Sequence, residues 1–227
     1  MWPRFVGRLG LADAVTVSNA ALGFVAVAAA TIDPELAARV VLLGGILDAL
    51  DGIAARRWGG TTVGPHLDSL ADVATFGVAP AFVVFSAGRG GGHVEGSALL
   101  WIAVPALYVA TTVVRLGLYT TLDVDDRETE GVQSTLAATL VTAGLLAGVG
   151  PIPLLAGTAL LSLAMLAPIP YPDLRVRDAV SMGIVQALAV LAPTAWDRVF
   201  PTVLLVWALG YLAFAPRYYP RSEGKRS

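Results

Sequence analysis

The chain has 227 residues, of which 56% are hydrophobic and 14% are charged, and its mean hydropathy is +0.71. So little charge excludes a water-soluble globule of this size and predicts a protein that lies in a lipid bilayer. The net charge of −2 comes with no basic stripe, so we expect no nucleic-acid partner. Cysteine is absent and there are two histidines, so any metal must be bound through oxygen atoms.

The first predicted element is a short helix that lies on the membrane surface. Aromatic and aliphatic residues alternate there with Arg4 and Arg8, which suits an interfacial position. Residues 1–13 contain an aspartate and two aromatic residues as well as the two arginines before the first apolar run begins, which is not the pattern of a cleaved signal peptide. We therefore expect this segment to be retained.

Apolar segments long enough to cross a bilayer, which takes about 20 residues, follow along the chain. They predict an all-α fold, a polytopic bundle of about eight transmembrane helices that forms a single domain over residues 1–227. The predicted spans are Ala14–Thr31, Leu36–Arg56, Pro65–Ala87, Ala98–Tyr119, Gln133–Val149, Ile152–Pro168, Ala179–Ala192 and Val199–Ala215.

The basic residues fall mainly on one side of this bundle. With a cytoplasmic N-terminus, Arg89 and Arg198 lie in the opposite loops, and most other basic residues lie inside. The distribution predicts a protein of the cell membrane with both termini in the cytoplasm. The residues on the cytoplasmic side are Arg4, Arg8, Arg56, Arg57, Arg127, Arg175, Arg177, Arg217, Arg221, Lys225 and Arg226.

Four aspartates lie within predicted spans, where a carboxylate is costly and usually functional. Asp48 and Asp51 are spaced i, i+3 near the cytoplasmic end of the second span, and Asp68 and Asp72 are spaced i, i+4 near the start of the third. The short connection makes the two spans antiparallel neighbours, so we expect all four carboxylates to converge at one depth. The alternative is two buried pairs that face a water cavity or a proton path.

Converging carboxylates repel one another unless a cation neutralises them. Hard oxygen ligands favour Mg²⁺ or Mn²⁺, with Ca²⁺ as another occupant. Two such ions, about 4 Å apart in two-metal sites generally, could clamp a diphosphate. These considerations predict a phosphoanhydride substrate. Gly52, Ala55 and Gly64 would leave room for it, and Arg56 could bind a phosphate or act only as a positive-inside anchor.

The segments DALDGIAAR, from Asp48, and GPHLDSLAD, from Gly64, match all eight positions of the signature of the CDP-alcohol phosphotransferase family. The chain resembles this family, although its spacer of seven residues between Arg56 and Gly64 is one residue shorter than in bacterial relatives, a difference that falls in the turn at Trp58–Val63. The resemblance implies a six-helix core, here followed by a C-terminal pair, and transfer of a phosphatidyl-type group from a CDP-linked lipid to an alcohol with release of CMP. Asp48, Asp51 and Asp68 would bind the metal, and Asp72 would bridge a metal or act as general base, the role we favour.

The same resemblance assigns further residues to the substrates. Gly52, Ala55, Arg56 and Gly64 are similar to positions that line the cytidine and diphosphate. Asn19, in the string TVSNAALG, resembles the segment that opens the phosphatidylserine synthase branch, and we assign it to the CDP-lipid or to hydrogen bonding between helices.

The flanking sequence also resembles the serine branch, which implies L-serine as the acceptor. Ser69 follows the third aspartate, and FGVAP follows at Phe76. Arg115, in RLGLYT, matches one arginine of a branch string whose second arginine is here Leu118. We assign Arg115 and Ser69 to the head group or a phosphate, with snorkelling as the alternative for Arg115. The N-terminal string and the arginine-rich composition are similar to archaeal members, which implies CDP-archaeol as the donor and archaetidylserine as the product, with CDP-diacylglycerol as the other donor.

Two rival functions remain at this point. Glycerol phosphate or inositol phosphate could be the acceptor, with Arg175 and Arg177 as basic contacts. A divalent-cation transporter would use the four acids as its site, but would also need acids deep in the second half. Residues 133–216 are predicted to serve as scaffold, lipid contact and association surface. Their small-residue runs indicate helix packing or a dimer contact, and we expect a homodimer.

Overall fold

The computed structural model describes residues 9–118, 120, 128–172 and 176–218, without the side chains of residues 54–56, 58, 93–96, 128, 129 and 176. The surface helix predicted over the first residues lies outside this part of the chain. The described chain is almost entirely helical. Its helices are α1 (Leu11–Ala30), α2 (Pro34–Trp58), α3 (Gly64–Asp72), α4 (Ala79–Gly90), α5 (His93–Leu118), α6 (Ser134–Leu146), α7 (Pro151–Ala164), α8 (Val176–Leu191) and α9 (Val199–Tyr218).

Each predicted span coincides with helical chain, which confirms an all-α fold of the membrane type. The segments long and apolar enough to cross a bilayer, among the described residues, are Leu11–Ala30, Gly64–Gly90, Ser97–Leu118 and Val199–Tyr218. Helices α6 and α7 have 13 and 14 residues. At 1.5 Å per residue they are about 20 Å long, which is less than the roughly 30 Å of a hydrocarbon core. The count of eight spanning helices therefore stays a prediction.

A π-helical turn joins α3 and α4 into one rod. It spans Val73–Val78 and begins directly after Asp72. Two neighbouring helices are tied to this turn. The hydroxyl of Tyr108 on α5 donates to the Phe76 carbonyl at 3.1 Å, and the hydroxyl of Thr75 donates to the Asn19 carbonyl on α1 at 2.8 Å. Helices α1 and α5 thus hold the rod on both sides just beyond the predicted site.

Close packing of α1 on this rod depends on Gly23. A Cβ atom at Gly23 would lie 2.7 Å from the carbonyl carbon of Ala74 and 2.9 Å from its oxygen. Because these are backbone atoms, they cannot move aside as the end of a side chain would. The two helices approach as closely as they do only because this side chain is absent.

We expect Gly23→Ala to lower the free energy of unfolding by about 1–3 kcal/mol, since overpacking forces the helices apart. Gly183→Ala on α8 is the matched control, because a Cβ there meets no atom within 4 Å. That change should be neutral or stabilise by up to about 1 kcal/mol through helix propensity. Thermal unfolding in detergent would measure both, and equal effects would contradict the close contact.

The far end of the bundle is held by Arg198, which adopts a left-handed backbone with φ of 63°. Its guanidinium donates to the Leu146 carbonyl at the end of α6 at 2.7 Å and to the Glu35 carboxylate at the start of α2 at 2.9 Å. The ends of α2, α6 and α9 are therefore joined by one side chain.

A pair of short strands, which the sequence did not predict, lies at the opposite end. Strand β1 (Glu128–Glu130) pairs antiparallel with β2 (Pro170–Pro172). The Tyr171 hydroxyl donates to the Leu212 carbonyl at 3.0 Å, and the Tyr211 hydroxyl donates to the Pro172 carbonyl. The strands thereby connect the loops after α5 and α7 to α9.

Candidate metal and nucleotide site

Three of the four predicted aspartates meet where α2 and α3 run side by side. Carboxylate oxygens of Asp48, Asp68 and Asp72 all lie within 4.8 Å of one another. The spacing within each helix and the tight turn between the helices bring them together. Gly59, with φ of +88°, gives that turn a left-handed residue at no steric cost, which accommodates the short spacer.

Asp51 lies beside this trio and is hydrogen-bonded to a neighbouring helix. Its side chain is 6% exposed, and its Oδ2 accepts a hydrogen bond of 2.7 Å from the Thr16 hydroxyl on α1. It is nevertheless close enough to Asp48, Asp68 and Asp72 to interact with their charges. The structure therefore gives Asp51 a fixed orientation at the edge of the carboxylate cluster.

The cluster has the donor set of a divalent-cation site. Four neighbouring carboxylates, of which Asp51 and Asp72 are buried and Asp48 and Asp68 half-buried, repel one another when ionised, and the Arg115 guanidinium is in electrostatic reach of Asp72. The buried Oδ1 of Asp72 has no hydrogen-bond partner among the described residues, although buried polar atoms are nearly always paired. Oxygen ligands at this separation suit a hard cation such as Mg²⁺ or Mn²⁺. The residues present thus fit the predicted metal.

A cavity of about 270 Å³ opens beside the carboxylates. It lies between the start of α1, the end of α2 and the start of α3, and its lining combines aspartates with small residues. Its lining residues are Ala12, Asp13, Thr16, Asp51, Gly52, Gly60, Thr61, Gly64, Pro65 and Asp68. The predicted ligand-binding glycines, Gly52 and Gly64, are both among them.

A third aspartate, Asp13, lines the cavity beside Asp51 and Asp68, and the sequence analysis missed it. Asp13 is 2% exposed, and its carboxylate accepts hydrogen bonds from the Gly10 backbone N–H at 2.7 Å and from the Thr61 hydroxyl at 2.9 Å. Asp13, Thr16 and Asn19 recur every third residue of an apolar helix, and this polar stripe was the signal that could have revealed the face of α1 toward the site.

The remaining predicted residues take other places. Asn19 is buried one turn beyond Thr16, and both polar atoms of its side chain are without partners among the described residues. The Ser69 hydroxyl contacts Thr120 near the end of α5, and Arg115 is buried on α5. None of these three is among the described residues that line the cavity. The side chains of Ala55 and Arg56 lie outside the described part of the chain, although their backbone belongs to α2.

Fold and site together define a class of protein, namely a helical membrane protein in which carboxylates of two adjacent helices meet beside a small cavity. The sequence profile of the CDP-alcohol phosphatidyltransferase family matches residues 9–192, and the chain belongs to this family. The resemblance inferred from the signature is thereby confirmed. The family implies a CDP-linked lipid and an alcohol as substrates and a divalent metal ion as cofactor.

Individual relatives are similar over different lengths. The archaetidylserine synthase of Methanothermobacter thermautotrophicus is 30% identical over 145 residues, which cover 62% of this chain and 59% of that protein. The CDP-diacylglycerol–serine O-phosphatidyltransferase of Mycobacterium bovis is 27% identical over 228 residues, which cover 91% of this chain and 77% of the relative. The yeast enzyme of that name, from Saccharomyces cerevisiae, is 39% identical over 90 residues, which cover 36% of this chain and 33% of the yeast protein. The match thus spans less than two thirds of the archaeal and yeast relatives.

Proposed function

We propose that the protein transfers a phosphatidyl-type group from a CDP-linked lipid to L-serine and releases CMP. The observation that carries this proposal is that Asp68, which meets Asp48 and Asp72, also lines a cavity together with Asp51, Gly52 and Gly64. The relatives are named as enzymes that use serine or make a serine lipid, and these names support serine as the acceptor. By the archaeal similarity the donor is CDP-archaeol and the product archaetidylserine, and CDP-diacylglycerol is the alternative donor.

The four aspartates provide the diphosphate end of the site. In this proposal Asp48, Asp51, Asp68 and Asp72 hold Mg²⁺ or Mn²⁺, two ions in all, which would offset the charge of the diphosphate and stabilise the charge that develops at phosphorus. The hydrogen bond from Thr16 orients Asp51. Gly52, Ala55 and Gly64 admit the CDP moiety, Asn19 supports the same face of α1, and Arg56 by its motif position binds a phosphate.

The reaction itself is a substitution at the lipid-side phosphorus. The serine hydroxyl oxygen forms the new P–O bond, the anhydride P–O bond breaks, and CMP leaves with that electron pair. The hydroxyl proton passes to Asp72, whose buried Oδ1 has no competing hydrogen bond from the described residues. Asp72 needs to accept this proton only as the bond to phosphorus forms.

The acceptor side is proposed to lie toward α5. Arg115 is buried and within electrostatic reach of Asp72, so its guanidinium can bind the serine carboxylate or the lipid phosphate close to the reacting atoms. Ser69, one residue after Asp68, faces the same side through its contact with Thr120.

The cytidine end is proposed to lie at Asp13. A carboxylate can accept a hydrogen bond from the N4 amino group of cytosine, which uracil lacks. The bonds from Gly10 and Thr61 fix the Asp13 carboxylate at the cavity and leave it further acceptor capacity. Asp13 thereby explains a preference for CDP-linked over UDP-linked donors.

We expect Asp13→Asn to raise the KM for the CDP-lipid about tenfold, with a smaller effect on kcat, because one hydrogen bond to a charged group contributes about 1.5–3 kcal/mol. The new amide can donate to the uracil O4, so inhibition by UMP should strengthen relative to CMP. Inhibition constants for the two nucleotides would measure this, with Asp33→Asn, at the exposed start of α2, as control. An unchanged CMP to UMP ratio would refute the assignment of the base.

The whole function is tested by CMP release from purified protein with Mg²⁺ or Mn²⁺. CDP-archaeol or CDP-diacylglycerol would be the donor, and labelled serine, glycerol phosphate and inositol phosphate would compete as acceptors. We expect the labelled serine to be incorporated into the lipid product. Absence of CMP release with every acceptor would refute the enzymatic function. Transfer to glycerol phosphate alone would refute serine as the acceptor.

The arrangement in the cell is proposed from the sequence. The basic loops favour a cell-membrane protein with both termini and the site on the cytoplasmic side. One domain over residues 1–227 would contain the site within residues 48–72, and residues 133–216 would contribute scaffold, lipid contacts and a homodimer surface. Accessibility of single cysteines, introduced into this cysteine-free chain, would test the orientation.

A further inference from the structure

Asn19, in the middle of α1, carries a buried amide whose hydrogen-bonding capacity is not used. The residue is 1% exposed, and neither its Oδ1 nor its Nδ2 has a partner among the described residues. An unpaired buried polar group costs about 1–3 kcal/mol, and such groups are rare in native proteins. An apolar side chain of the same shape would suit this place better, so the amide calls for a partner in the working state of the protein.

The register of α1 against α2 places Asn19 opposite Asp48. The two helices are consecutive, are joined by a short turn and run antiparallel, and the Thr16 hydroxyl of α1 meets the Asp51 carboxylate of α2 at 2.7 Å. Asn19 lies three residues after Thr16, and Asp48 lies three residues before Asp51. In antiparallel helices a step forward on one matches a step back on the other, so Asn19 and Asp48 form the next facing pair.

The packing around Gly44 supports this register independently. A Cβ atom at Gly44 would lie 2.9 Å from Asn19 Oδ1, so the amide lies against α2 one turn before Asp48. The Thr75 hydroxyl, bonded to the Asn19 carbonyl at 2.8 Å, fixes the backbone from the other side. Side chains of a helix lean toward its N-terminus. Because α1 and α2 run in opposite directions, the side chains of Asn19 and Asp48 lean toward each other.

We propose that Asn19 is a positioning residue of the metal site, whose Nδ2 donates to the Asp48 carboxylate when Asp48 turns to bind the ion. The inference rests on the proposed role of Asp48 as a metal ligand. Carboxylates that bind a metal are themselves held by hydrogen bonds, and loss of such a bond lowers metal affinity about 10- to 100-fold. Thr16 already holds Asp51 in this way, and Asn19 extends the support to the next aspartate of α2.

Thermal unfolding of Asn19→Leu separates this role from a purely structural one. Leucine has nearly the shape of asparagine, so the melting temperature in chelator should stay the same or rise, since an unpaired amide is removed. The Mg²⁺ concentration that gives half of the stabilisation should increase about 10- to 100-fold. Gln186→Met on α8 is the control, because its buried amide already donates to the Leu42 carbonyl at 2.6 Å, and its Mg²⁺ response should match the wild type. A wild-type Mg²⁺ response in Asn19→Leu would overturn the proposal.

Two further comparisons identify the donor and its partner. Asn19→Thr and Asn19→Val have the same shape, but only threonine can donate, as Thr16 does one turn earlier, so we expect about tenfold tighter Mg²⁺ binding with threonine. Equal affinities would overturn the role as donor.

The partner follows from combining Asn19→Leu with the loss of one aspartate. Asn19→Leu should have no further effect on Mg²⁺ binding in Asp48→Ala, whereas it should keep its effect in Asp68→Ala, because only interacting residues are non-additive. An undiminished effect in both would overturn the pairing with Asp48. A wild-type protein whose melting temperature does not respond to Mg²⁺ would instead refute the proposed metal site on which the inference rests.

Discussion

Replacement of Asp72 by asparagine is expected to lower the rate of CMP release by about 10²- to 10⁴-fold, the usual contribution of a general base. The amide has nearly the shape of the carboxylate but accepts no proton. Because the CDP moiety is proposed to contact Gly52, Gly64 and Asp13, which are unchanged, its binding should persist in the variant. Steady-state kinetics would show the loss in kcat, and equilibrium binding of the labelled donor would show the retained affinity.

Asp72 also belongs to the carboxylate trio, so weakened metal binding is a competing explanation for the same loss. A series of Mg²⁺ concentrations separates the two. If Asp72 acts as the base, saturating Mg²⁺ leaves the rate low, whereas a pure metal defect would be rescued. The control is Asp33→Asn, at the start of α2, where an amide oxygen can still accept the hydrogen bond from the Glu35 N–H.

Chelation of divalent cations is expected to remove CMP release entirely and to lower the melting temperature. Without a cation, the carboxylates of Asp48, Asp68 and Asp72 repel one another within 4.8 Å. A ligand that binds only the folded protein, present at 100 times its dissociation constant, stabilises it by about 2.7 kcal/mol. Readdition of Mg²⁺ or Mn²⁺ should therefore restore both rate and melting temperature.

The link between metal and cluster is tested with Asp68→Asn. This variant should melt at a temperature that depends much less on Mg²⁺, because one ligand and one repelling charge are gone. The protein with Asp33→Asn should retain the full dependence. Full CMP release in excess chelator, or a Mg²⁺ response that is unaltered in Asp68→Asn, would contradict the metal assignment.

The helices could be predicted from apolar segment length, but their ends depend on single residues. The fifth predicted span continued to Val149, whereas α6 ends at Leu146. Gly148 adopts φ of +87°, which an α-helix cannot accommodate, and apolar composition alone does not reveal that change of backbone. The strands β1 and β2 have three residues each, and β2 contains two prolines, so no alternating pattern predicted them.

The carboxylate trio followed from spacing, because positions three and four apart share a helix face and a short turn makes adjacent helices antiparallel. The contacts of α1 did not follow. Thr16 meets Asp51 across 35 residues of sequence, and Thr61 meets Asp13 across 48. Such contacts depend on how α1 is rotated against α2 and α3, and in this rotation Gly23 faces the backbone of Ala74 at close range.

The π-helical turn after Asp72 has a consequence for comparing chains by spacing. A π turn contains more residues than an α turn of the same length, and such turns occur as single insertions in α-helices. A relative with an uninterrupted helix here would align with a one-residue gap between its last aspartate and the segment that corresponds to Phe76–Pro80. Deletion of one residue from Val73–Val78 would convert the π turn into a regular α turn and leave a continuous helix. Deletion of one residue between the two aspartates of Gly64–Asp72 would instead rotate them away from each other.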